Sequence, residues 1–552
     1  PHESIARMNT EQEDKIELQQ VETAVLARTG SLPLKPDASV ELRSRLDNLP
    51  VAAALRVYWR LSVLCMLAAF SASCDGFQGH FNGSIVANKG ESTVGGGSAD
   101  RVGFIRQFSG GGTKLDPTWV SVWGGTATAA TFFSQVLIAY VNDYAGRRIA
   151  LWCTFLLLTA STLAESFVTN NVGWLFAKIL SGVGVGAMQG TLPMYLAELA
   201  PTQLRGLFTQ AYTFWYVIGQ LLSSVPLQWY SDHEPYNFRS PIRIQFAVIG
   251  ILLLVYLVLP ESPRWLIQTK RHERAKKTLA WLHKGVPGYQ VDEQVAIIEN
   301  TVAEERKHNA VIGGLGLGIF RGTNGWRLFI ASWPKICQQF VGLSVFNTYA
   351  TYFFDTAGFA DPFLITVILA CAQLMSMIIT MFLVDVWGRR PMTVYGYLVT
   401  VLADFGMGAT GFRNVSKPPA LGGLLVFFAC LATFSTTSAS AIGYAYLAEI
   451  PKQDLRAKSA GWGLAISNLF STMFSYCVPL MIAGSAGWGV KTGLFFGCTG
   501  LIVVTVAWFI LPEVTRRTPA EIDEMFEKKV NPRKFKGYIT EAQSHTGGQD
   551  EP

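Results

Sequence analysis

Long apolar segments separated by short polar ones run along the chain from residue 59 to residue 511. A helix that crosses the hydrocarbon core of a bilayer needs about 20 predominantly apolar residues. Backbone groups find no water inside a bilayer, so segments of this kind must be helical. The pattern therefore predicts an all-α membrane protein with twelve transmembrane helices. The predicted spans, numbered 1 to 12 in chain order, are 59–80, 118–141, 149–169, 173–195, 207–230, 242–260, 328–354, 362–384, 391–411, 421–447, 458–482 and 489–511.

Three charged signals, each at the end of an apolar span, occur twice in the same order, at offsets of 242 to 252 positions. A nearly constant offset indicates a duplicated membrane unit, which is typical of carriers that move a solute between two halves. We therefore expect two pseudo-symmetric six-helix bundles. The repeated signals are Asp143-Tyr-Ala-Gly-Arg-Arg148 with Asp385-Val-Trp-Gly-Arg-Arg390, Glu198 and Arg205 with Glu449 and Arg456, and Pro260-Glu261 with Pro512-Glu513.

Six spans lie on each side of one long polar stretch, and this division sets the expected domains. One segment, Gly90–Val102, interrupts the first outer loop; we interpret it as a dispensable flexible loop, or as a retained intron in the gene sequence. The expected domains are an N-terminal tail at 1–58, a first six-helix bundle at 59–260, a linker with short helices at 261–327, a second six-helix bundle at 328–511 and a C-terminal tail at 512–552.

The distribution of basic residues predicts the orientation. Half of the residues are hydrophobic and only 15% are charged, too few charges for the surface of a soluble protein of this size. Lysine and arginine concentrate in the loops on one face, whereas the opposite loops 170–172, 357–361 and 484–488 have none. The positive-inside rule then places both termini in the cytoplasm, and we expect the plasma membrane. The sequon at Asn414 falls on the outer face and is a glycosylation candidate. These loops also explain the net charge of +6, so no nucleic-acid partner is expected.

The sequence shows no pattern that indicates an enzyme, a cofactor or a metal. Gly110-Gly-Gly-Thr-Lys114 lacks the second glycine and the spacing of a phosphate-binding loop. The eight cysteines lie in or beside apolar spans without metal-ligand spacing, as expected of packing residues. Transport would then be downhill or coupled to an ion gradient. We expect the chain to act as a monomer in the lipid bilayer.

The duplicated loop signals predict a gate at the cytoplasmic face. Acids at the ends of neighbouring helices can pair with the arginines, lock the two halves when the inner gate is closed and separate when it opens. The alternative is that these residues only set topology and cap helices. We expect Glu198 and Glu449 to form ion pairs with Arg148, Arg205, Arg390 and Arg456. The full set of predicted gate residues is Asp143, Arg147, Arg148, Glu198, Arg205, Asp385, Arg389, Arg390, Glu449 and Arg456.

Charged residues inside the spans are rarer and more informative. An ionised side chain in mid-bilayer costs about 2.5–3.5 kcal/mol on insertion scales, so such residues tend to be paired or functional. Asp75 in span 1 and Lys178 in span 4 come to similar depths, roughly 7–12 Å and about 8 Å below the outer surface, at 1.5 Å per residue. We expect them to face each other, either as a structural pair or as a proton-coupled switch.

Span 7 combines amide and aromatic side chains that suit a polyhydroxylated ligand. Gln338 and Gln339 each offer donors and an acceptor for hydroxyl groups, and aromatic faces nearby suit the C–H surface of a sugar ring. The alternative is that these glutamines bond a neighbouring helix. The predicted substrate-binding residues are Gln338, Gln339, Ser344, Asn347, Tyr349, Thr213, Gln220, Tyr444 and Asn468.

The chain resembles the sugar porters of the major facilitator superfamily over nearly all of residues 59–527. The motifs that carry the resemblance are DYAGRR, DVWGRR, TLPMYLAELAPTQLRG, PESPRWL from Pro260, the Gln338-Gln339 pair and PEVT from Pro512. Within this family, the sequence resembles the fungal hexose and α-glucoside permeases. The resemblance implies two six-helix bundles around a central site, with Gln338 and Gln339 holding sugar hydroxyls.

The chain departs from the family pattern at positions that bear on substrate and coupling. The family's Gly-Tyr-Asp in span 1, whose acid is linked to proton coupling, reads Gly76-Phe-Gln78, with Asp75 one turn earlier. The basic residue of span 4, usually arginine, is Lys178. Other departures are Ser344 for an asparagine, Thr213 for a glutamine, Ala441 and Gly443 for a proline pair, and Tyr444 for a tryptophan.

The sequence thus predicts a sugar transporter that works by alternating access, with a proton as co-substrate. Asp75, Gln78 and Lys178 are the predicted coupling residues. One alternative is a major facilitator transporter of a non-sugar, such as a quinate-like acid or a secondary metabolite for export. Another is a sugar sensor that does not transport.

Overall fold

The structure is a computed structural model that describes residues 51–88, 103–110, 114–201, 204–286, 289–312, 317–412, 419–452, 455–484, 486–515, 517 and 519–538. A helix occupies each of the twelve predicted positions, and no strand occurs in these ranges. Within them, nine helices are long and apolar enough to cross a membrane. The predicted sequon at Asn414 and the segment Gly90–Val102 lie outside the described residues.

The helices of the first half are interrupted only in span 1. Span 1 comprises two helices, Trp59–Ala69 and Ala72–Ser84. Side-chain caps start two of the others: Asp116 accepts a 2.9 Å bond from the Thr118 amide before span 2, and Asn170 accepts a 2.7 Å bond from the Gly173 amide before span 4. Spans 2 to 6 are Pro117–Ala145, Arg147–Phe167, Asn171–Leu199, Arg205–His233 and Arg239–Val258. Together with span 1 they form what we call the N-half.

The second half repeats this order, with a deeper interruption in span 7. Its helix Gly322–Phe340 ends just after the paired glutamines, a π-helical turn follows at Ser344–Thr348, and a short helix Ala350–Thr356 completes the span. Spans 8 to 12 are Pro362–Trp387, Arg389–Thr410, Pro419–Glu449, Arg456–Ile482 and Thr492–Ile510. Together with span 7 they form the C-half.

The Gly-Arg-Arg turns define one end of the bundle, which we call the basic end. Gly146 and Gly388 adopt φ values of +97° and +94°, a left-handed conformation that side-chain-bearing residues rarely take. Each glycine therefore allows a helix to end and the next one to start without an intervening loop. The same geometry in both halves confirms that the sequence repeat is a structural repeat.

The hydrophobic cores are shared at one end of the bundle and separate at the other. At the end opposite the basic end, one cluster contains residues of both halves, among them Phe81 and Trp123 of the N-half and Phe353 and Phe474 of the C-half. Towards the basic end, the N-half and the C-half each bury a cluster of their own. The two halves are thus packed together most extensively at the opposite end.

The linker between the halves is helical, as the sequence predicts, with two short helices and one of 22 residues. They are Pro263–Gln268, His272–Leu282 and Val291–Ile312. The ring of His283 stacks on Tyr289 at 4.0 Å and meets Tyr58, next to span 1, edge-on at 5.6 Å. Burial lowers the pKa of His283 to about 4, so the ring is neutral at physiological pH. These contacts dock the linker against the start of the N-half.

Candidate functional site

Asp75 is buried between spans 1, 4 and 5, with only 1% of its surface exposed. The Tyr212 hydroxyl donates to Oδ2 of Asp75 at 2.5 Å, and the Gln189 amide donates to the same oxygen at 3.0 Å and to Oδ1 at 3.3 Å. Both neighbours are donors, and Asp75 only accepts. This is the arrangement that an ionised carboxylate requires.

Two further amides extend this cluster across the bundle. Gln135 of span 2 donates to the side-chain oxygen of Gln189 at 2.7 Å, and Asn468 of span 11 donates to the side-chain oxygen of Gln135 at 2.7 Å. Because the carboxylate accepts, each amide in turn must present its nitrogen towards Asp75. We call Asn468, Gln135 and Gln189 the amide relay. It connects the C-half to the buried acid of the N-half through three side chains in series.

The predicted pairing of Asp75 with Lys178 is wrong. The Lys178 ammonium lies 3.0 Å from Oε1 of Glu165 in span 3, bonds Asn82, and sits 4.3 Å from the centre of the Trp174 ring. Equal depth along two helices does not set the direction in which each side chain points, and Lys178 points towards span 3. Asp75 points instead towards Tyr212 and Gln189 of spans 5 and 4.

Glu165 is a functional candidate that our sequence reasoning missed. Its side chain is fully buried, and its Oε1 accepts from Gln78 at 2.6 Å as well as from Lys178. Gln78 also donates to Ser181 at 2.7 Å. The signal was available, because Glu165 is the one acid inside predicted span 3. The glutamine that replaces the family's span 1 acid thus contacts a carboxylate contributed by another helix.

The structure brings together some of the predicted substrate residues across the two halves. The Gln220 amide of span 5 donates to the Asn347 oxygen of span 7 at 2.8 Å. Gln339 is buried, and its Oε1 has no hydrogen-bond partner among the described residues. The oxygen of a glutamine amide is an acceptor, so it can receive a hydrogen bond from a ligand hydroxyl. Asn468 makes a separate contact between the halves, through the amide relay.

Other predicted substrate residues lie elsewhere or make no polar contact that supports the prediction. The Tyr349 hydroxyl donates to the Ser475 carbonyl at 2.9 Å, and its ring is part of the shared apolar cluster at the opposite end. In this conformation Tyr349 therefore packs at the opposite end of the bundle, and its predicted role in substrate binding stays a prediction. Ser344 is buried in the π-helical turn, and Thr213 is half-buried in span 5.

Lys335 is the second residue that the sequence reasoning missed. It lies in span 7, one turn before Gln338, and its side chain is 4% exposed. The ammonium is 3.1 Å from the Ser440 hydroxyl, 3.4 Å from the Gln338 oxygen and 3.4 Å from the centre of the Tyr444 ring. A lysine within a predicted span is itself a signal, equal in kind to Lys178.

At the basic end, the repeated charged signals converge on one motif in each half. In the N-half, the Arg147 guanidinium bonds Glu198 at 2.8 Å, and the Arg147 backbone amide donates to Glu261 at 2.9 Å. In the C-half, Arg389 lies 3.4 Å from Glu449, and its backbone amide donates to Glu513 at 3.0 Å. The Pro-Glu repeat is therefore a cap for the helix that begins at the Gly-Arg-Arg turn.

This geometry corrects the predicted gate pairs. The first arginine of each turn pairs with the acid of the fourth or tenth span, whereas Arg390 donates to the Trp508 carbonyl at 2.9 Å. The Arg148 amide donates to Glu261 at 3.2 Å. Asp143 is mostly exposed, 3.9 Å from Arg147, and Arg205 is exposed at the start of span 5. The side chains of Asp385 and Arg456 are outside the described set.

The pairs Arg147–Glu198 and Arg389–Glu449 each join two helices of the same half. These pairs therefore do not lock the two halves together in this structure. They fix the position of spans 3 and 4, and of spans 9 and 10, relative to each other. Their role as a gate that opens and closes stays a prediction.

Two six-helix halves that enclose buried polar groups, with Gly-Arg-Arg turns repeated at one end, define a membrane transporter of the major facilitator fold. The chain belongs to the sugar (and other) transporter family, whose model matches residues 64–526. The resemblance inferred from the motifs is thereby confirmed.

The relatives of the chain include fungal sugar carriers. The general alpha-glucoside permease of Saccharomyces cerevisiae is 29% identical over 417 residues, which cover 73% of this chain and 67% of the permease. Hexose transporter HXT10 of the same yeast is 24% identical over 537 residues, which cover 93% of each chain. These relatives are transporters, not enzymes.

Solved structures support the same fold. The xylose transporter XylE from E. coli, in a partially occluded inward-open conformation, matches with a TM-score of 0.66 at 18% identity and covers 84% of this chain and 100% of that one. XylE described as a proton:xylose symporter and bound to 6-bromo-6-deoxy-D-glucose matches with a TM-score of 0.63 at 22% identity, over 85% of this chain and 99% of that one.

Proposed function

We propose that the protein moves a polyhydroxylated solute of the sugar class across the membrane by alternating access, together with a proton. The observation that carries this proposal is the amide relay. It joins a buried, ionisable carboxyl group of the N-half to Asn468 of the C-half through bonds of 2.7 to 3.0 Å. A proton on the acid therefore acts on a group that faces the interface between the halves.

The proton would work by reversing the relay. Protonated Asp75 has an oxygen that donates, so one of its neighbours must turn an acceptor towards it. When Gln189 presents its carbonyl oxygen, Gln135 and then Asn468 must reverse as well. Asn468 would then direct its carbonyl oxygen, in place of its amide nitrogen, towards Gln135. This exchange changes the hydrogen bonds that Asn468 can make with a hydroxyl group of the solute.

The Glu165–Lys178 pair would hold the N-half in shape and would not carry the proton. Gln78, Asn82 and Trp174 complete the contacts of the two charged groups. A buried pair of this kind is costly to break, because the remaining charge is left uncompensated. Its persistence would keep spans 1, 3 and 4 together as one rigid unit while the halves rock.

The packing of the bundle supports the alternating-access proposal. The halves share a core at the opposite end and have separate cores towards the basic end. This arrangement suits a state closed at the opposite end. With the basic end and both termini in the cytoplasm, as the positive-inside rule favours, the closed end would face outward. We place the protein in the plasma membrane as a monomer.

A non-sugar solute is the second candidate, and Lys335 favours it. This buried cation lies beside Gln338, where the family resemblance implies the binding of sugar hydroxyls. A solute with both hydroxyl groups and an anionic group would satisfy both features. The two candidates share the transport mechanism and differ only in the solute.

Transport assays in a yeast strain that lacks its own hexose and disaccharide carriers would test the proposal. We expect Asp75→Asn to abolish accumulation against a gradient while counterflow exchange of labelled solute continues, because only the coupled proton is lost. Asp232→Asn, an exposed acid at the opposite end, is the matched control. Undiminished accumulation by the Asp75→Asn variant would overturn proton coupling through this residue.

A further inference from the structure

Among the described residues, two lysines are buried in the bundle, and only one of these two has a counterion there. The Lys178 ammonium is paired with Glu165 at 3.0 Å. The Lys335 ammonium, equally buried, has no carboxylate within 4 Å among the described residues. An unpaired charge inside a membrane protein is expensive and is retained mainly at functional positions. The contrast indicates that the partner of Lys335 arrives from outside the chain.

We infer that Lys335 forms the carboxylate-binding subsite of the transport cavity, so that the solute is a sugar acid with a single carboxylate. This inference rests on the proposed function, because it assigns the solute class of that same site. Lysine binds an anion as a compact charge with three donors. The neighbouring amides of Gln338 and Gln339 supply the hydrogen bonds that hydroxyl groups need.

The immediate surroundings of Lys335 suit an anion and leave one of its three N–H groups available for a ligand. Ser440 and the Gln338 oxygen accept two of the three N–H bonds, at 3.1 and 3.4 Å. The Tyr444 ring, 3.4 Å from the ammonium, stabilises the positive charge without neutralising it. The third N–H can therefore bind a solute oxygen. The unpartnered Oε1 of Gln339 offers an acceptor to a hydroxyl of the same solute.

The charges of the site favour a monocarboxylate over a phosphate ester. Lys335 supplies one positive charge, and the side chains that contact its ammonium group, Ser440, Gln338 and Tyr444, are neutral. A dianionic phosphate would bring a second negative charge with no partner there. One carboxylate balances Lys335, and one proton neutralises Asp75.

This balance leads to an electrical prediction. A sugar acid that enters as an anion with one proton carries no net charge across the membrane. A neutral sugar that enters with one proton carries one positive charge. Uptake of the sugar acid should therefore be insensitive to membrane potential at a fixed pH gradient, whereas proton-coupled uptake of a neutral sugar would be accelerated by an inside-negative potential.

Competition and direct uptake of defined solutes would test the inference on the full chain in proteoliposomes. The probes are gluconate and glucuronate, with glucose, xylose and maltose as neutral counterparts. We expect saturable uptake of at least one acid, and at least tenfold weaker competition by the neutral sugars. Lys335→Met should lower acid uptake about tenfold or more, since a charge-assisted bond is lost, whereas Lys335→Arg should retain part of it.

The outcomes separate this inference from the proposed function. If neutral sugars are transported and neither acid competes, the carboxylate subsite is wrong and sugar transport stands. If no acid and no neutral sugar moves, the proposed function itself fails. If Lys335→Met does not fold, two measurements on the wild type still test the carboxylate subsite. They are the competition between acids and neutral sugars and the dependence of uptake on membrane potential. Equal uptake of acids by wild type and a folded Lys335→Met variant would also overturn the subsite.

Discussion

The side-chain amide of Asn468 donates a 2.7 Å hydrogen bond to the side-chain oxygen of Gln135, and this bond crosses from the C-half to the N-half. Gln135 in turn donates to Gln189, which donates to the buried Asp75. Any movement that separates spans 2 and 11 must break the first bond of this series. The relay is therefore placed to link the state of the acid to the contact between the halves.

Replacing Gln135 with leucine should uncouple transport. The change removes both bonds of the central amide and leaves the Asn468 nitrogen and the Gln189 oxygen, which are partly buried, without these partners. We expect the accumulation ratio to fall towards one while counterflow exchange continues. The pH profile of uptake should flatten, an effect that loss of packing alone does not produce.

Gln228→Leu is the control for this experiment. Gln228 is also a glutamine in a span, but it bonds Asp232 one turn away at the opposite end of span 5. Its substitution should leave accumulation and the pH profile unchanged. If Gln135→Leu behaves as the control does, the relay has no part in coupling.

Replacing Glu165 with glutamine should destabilise the protein strongly. The change leaves the buried Lys178 ammonium without its carboxylate, and breaking one partner of a buried pair costs about 3–5 kcal/mol. Lys178→Met on the Glu165→Gln background should recover much of the loss, because the uncompensated charge is gone. Thermal unfolding in detergent of the wild type, the two single variants and the double variant would give the double-mutant cycle. Additive losses in the cycle would show that the two side chains do not interact.

The sequence predicted the fold because its signals are local and repeated. Apolar length defines each span, and the Gly-Arg-Arg turns and Pro-Glu pairs mark the same positions in both halves. The family and the all-helical architecture were confirmed for this reason. The predicted domain boundaries and the roles of the site residues are not tested by the fold and remain predictions.

The partners of the buried charges could not be read from the sequence in the same way. Asp75 and Lys178 lie at matching depths, but the direction of a side chain around its helix depends on how the helices are rotated and packed. Glu165 and Lys335 are visible in the sequence as charges inside predicted spans, but a charge within a span does not identify the side chain that it contacts. The amide relay and Asp75 together combine side chains from four spans, so no linear pattern reveals them.

Adding a side chain at Gly83 should prevent closure at the opposite end of the bundle. A Cβ atom there would lie 1.6 Å from the Thr348 carbonyl oxygen of the C-half, a separation that only movement of the two halves apart can relieve. We expect Gly83→Ala to reduce transport to a few per cent of wild type or less. A cysteine placed at the buried Val86 should react faster with an impermeant thiol reagent in this background.

The control for Gly83 is Gly250→Ala in span 6, where no atom lies within 4 Å of the added Cβ. Transport and the labelling rate at position 86 should match wild type in this variant. Unchanged labelling in Gly83→Ala, together with normal transport, would mean that the opposite end does not close by this contact.

The acids that cap the Gly-Arg-Arg turns should act as hydrogen-bond acceptors more than as charges. Glu261 accepts from the backbone amides of Arg147 and Arg148, and burial raises its pKa while those amide bonds oppose the rise. A raised pKa in the folded state means that this group contributes stability below its unfolded pKa and loses it as the pH rises through the folded value. At neutral pH the folded protein therefore gains nothing from the charge of Glu261, and a neutral acceptor should serve as well.

We accordingly expect Glu261→Ala to lower the free energy of unfolding by about 1–2 kcal/mol, as for loss of a helix cap, and Glu261→Gln to lower it by a small fraction of that. Denaturant or thermal unfolding at pH 7 would measure both. Glu513→Ala should reproduce the loss in the C-half, because Glu513 accepts from the Arg389 amide in the same geometry. Equal losses for alanine and glutamine at position 261 would show instead that the negative charge stabilises the turn, through its attraction to the two arginines and to the start of span 3.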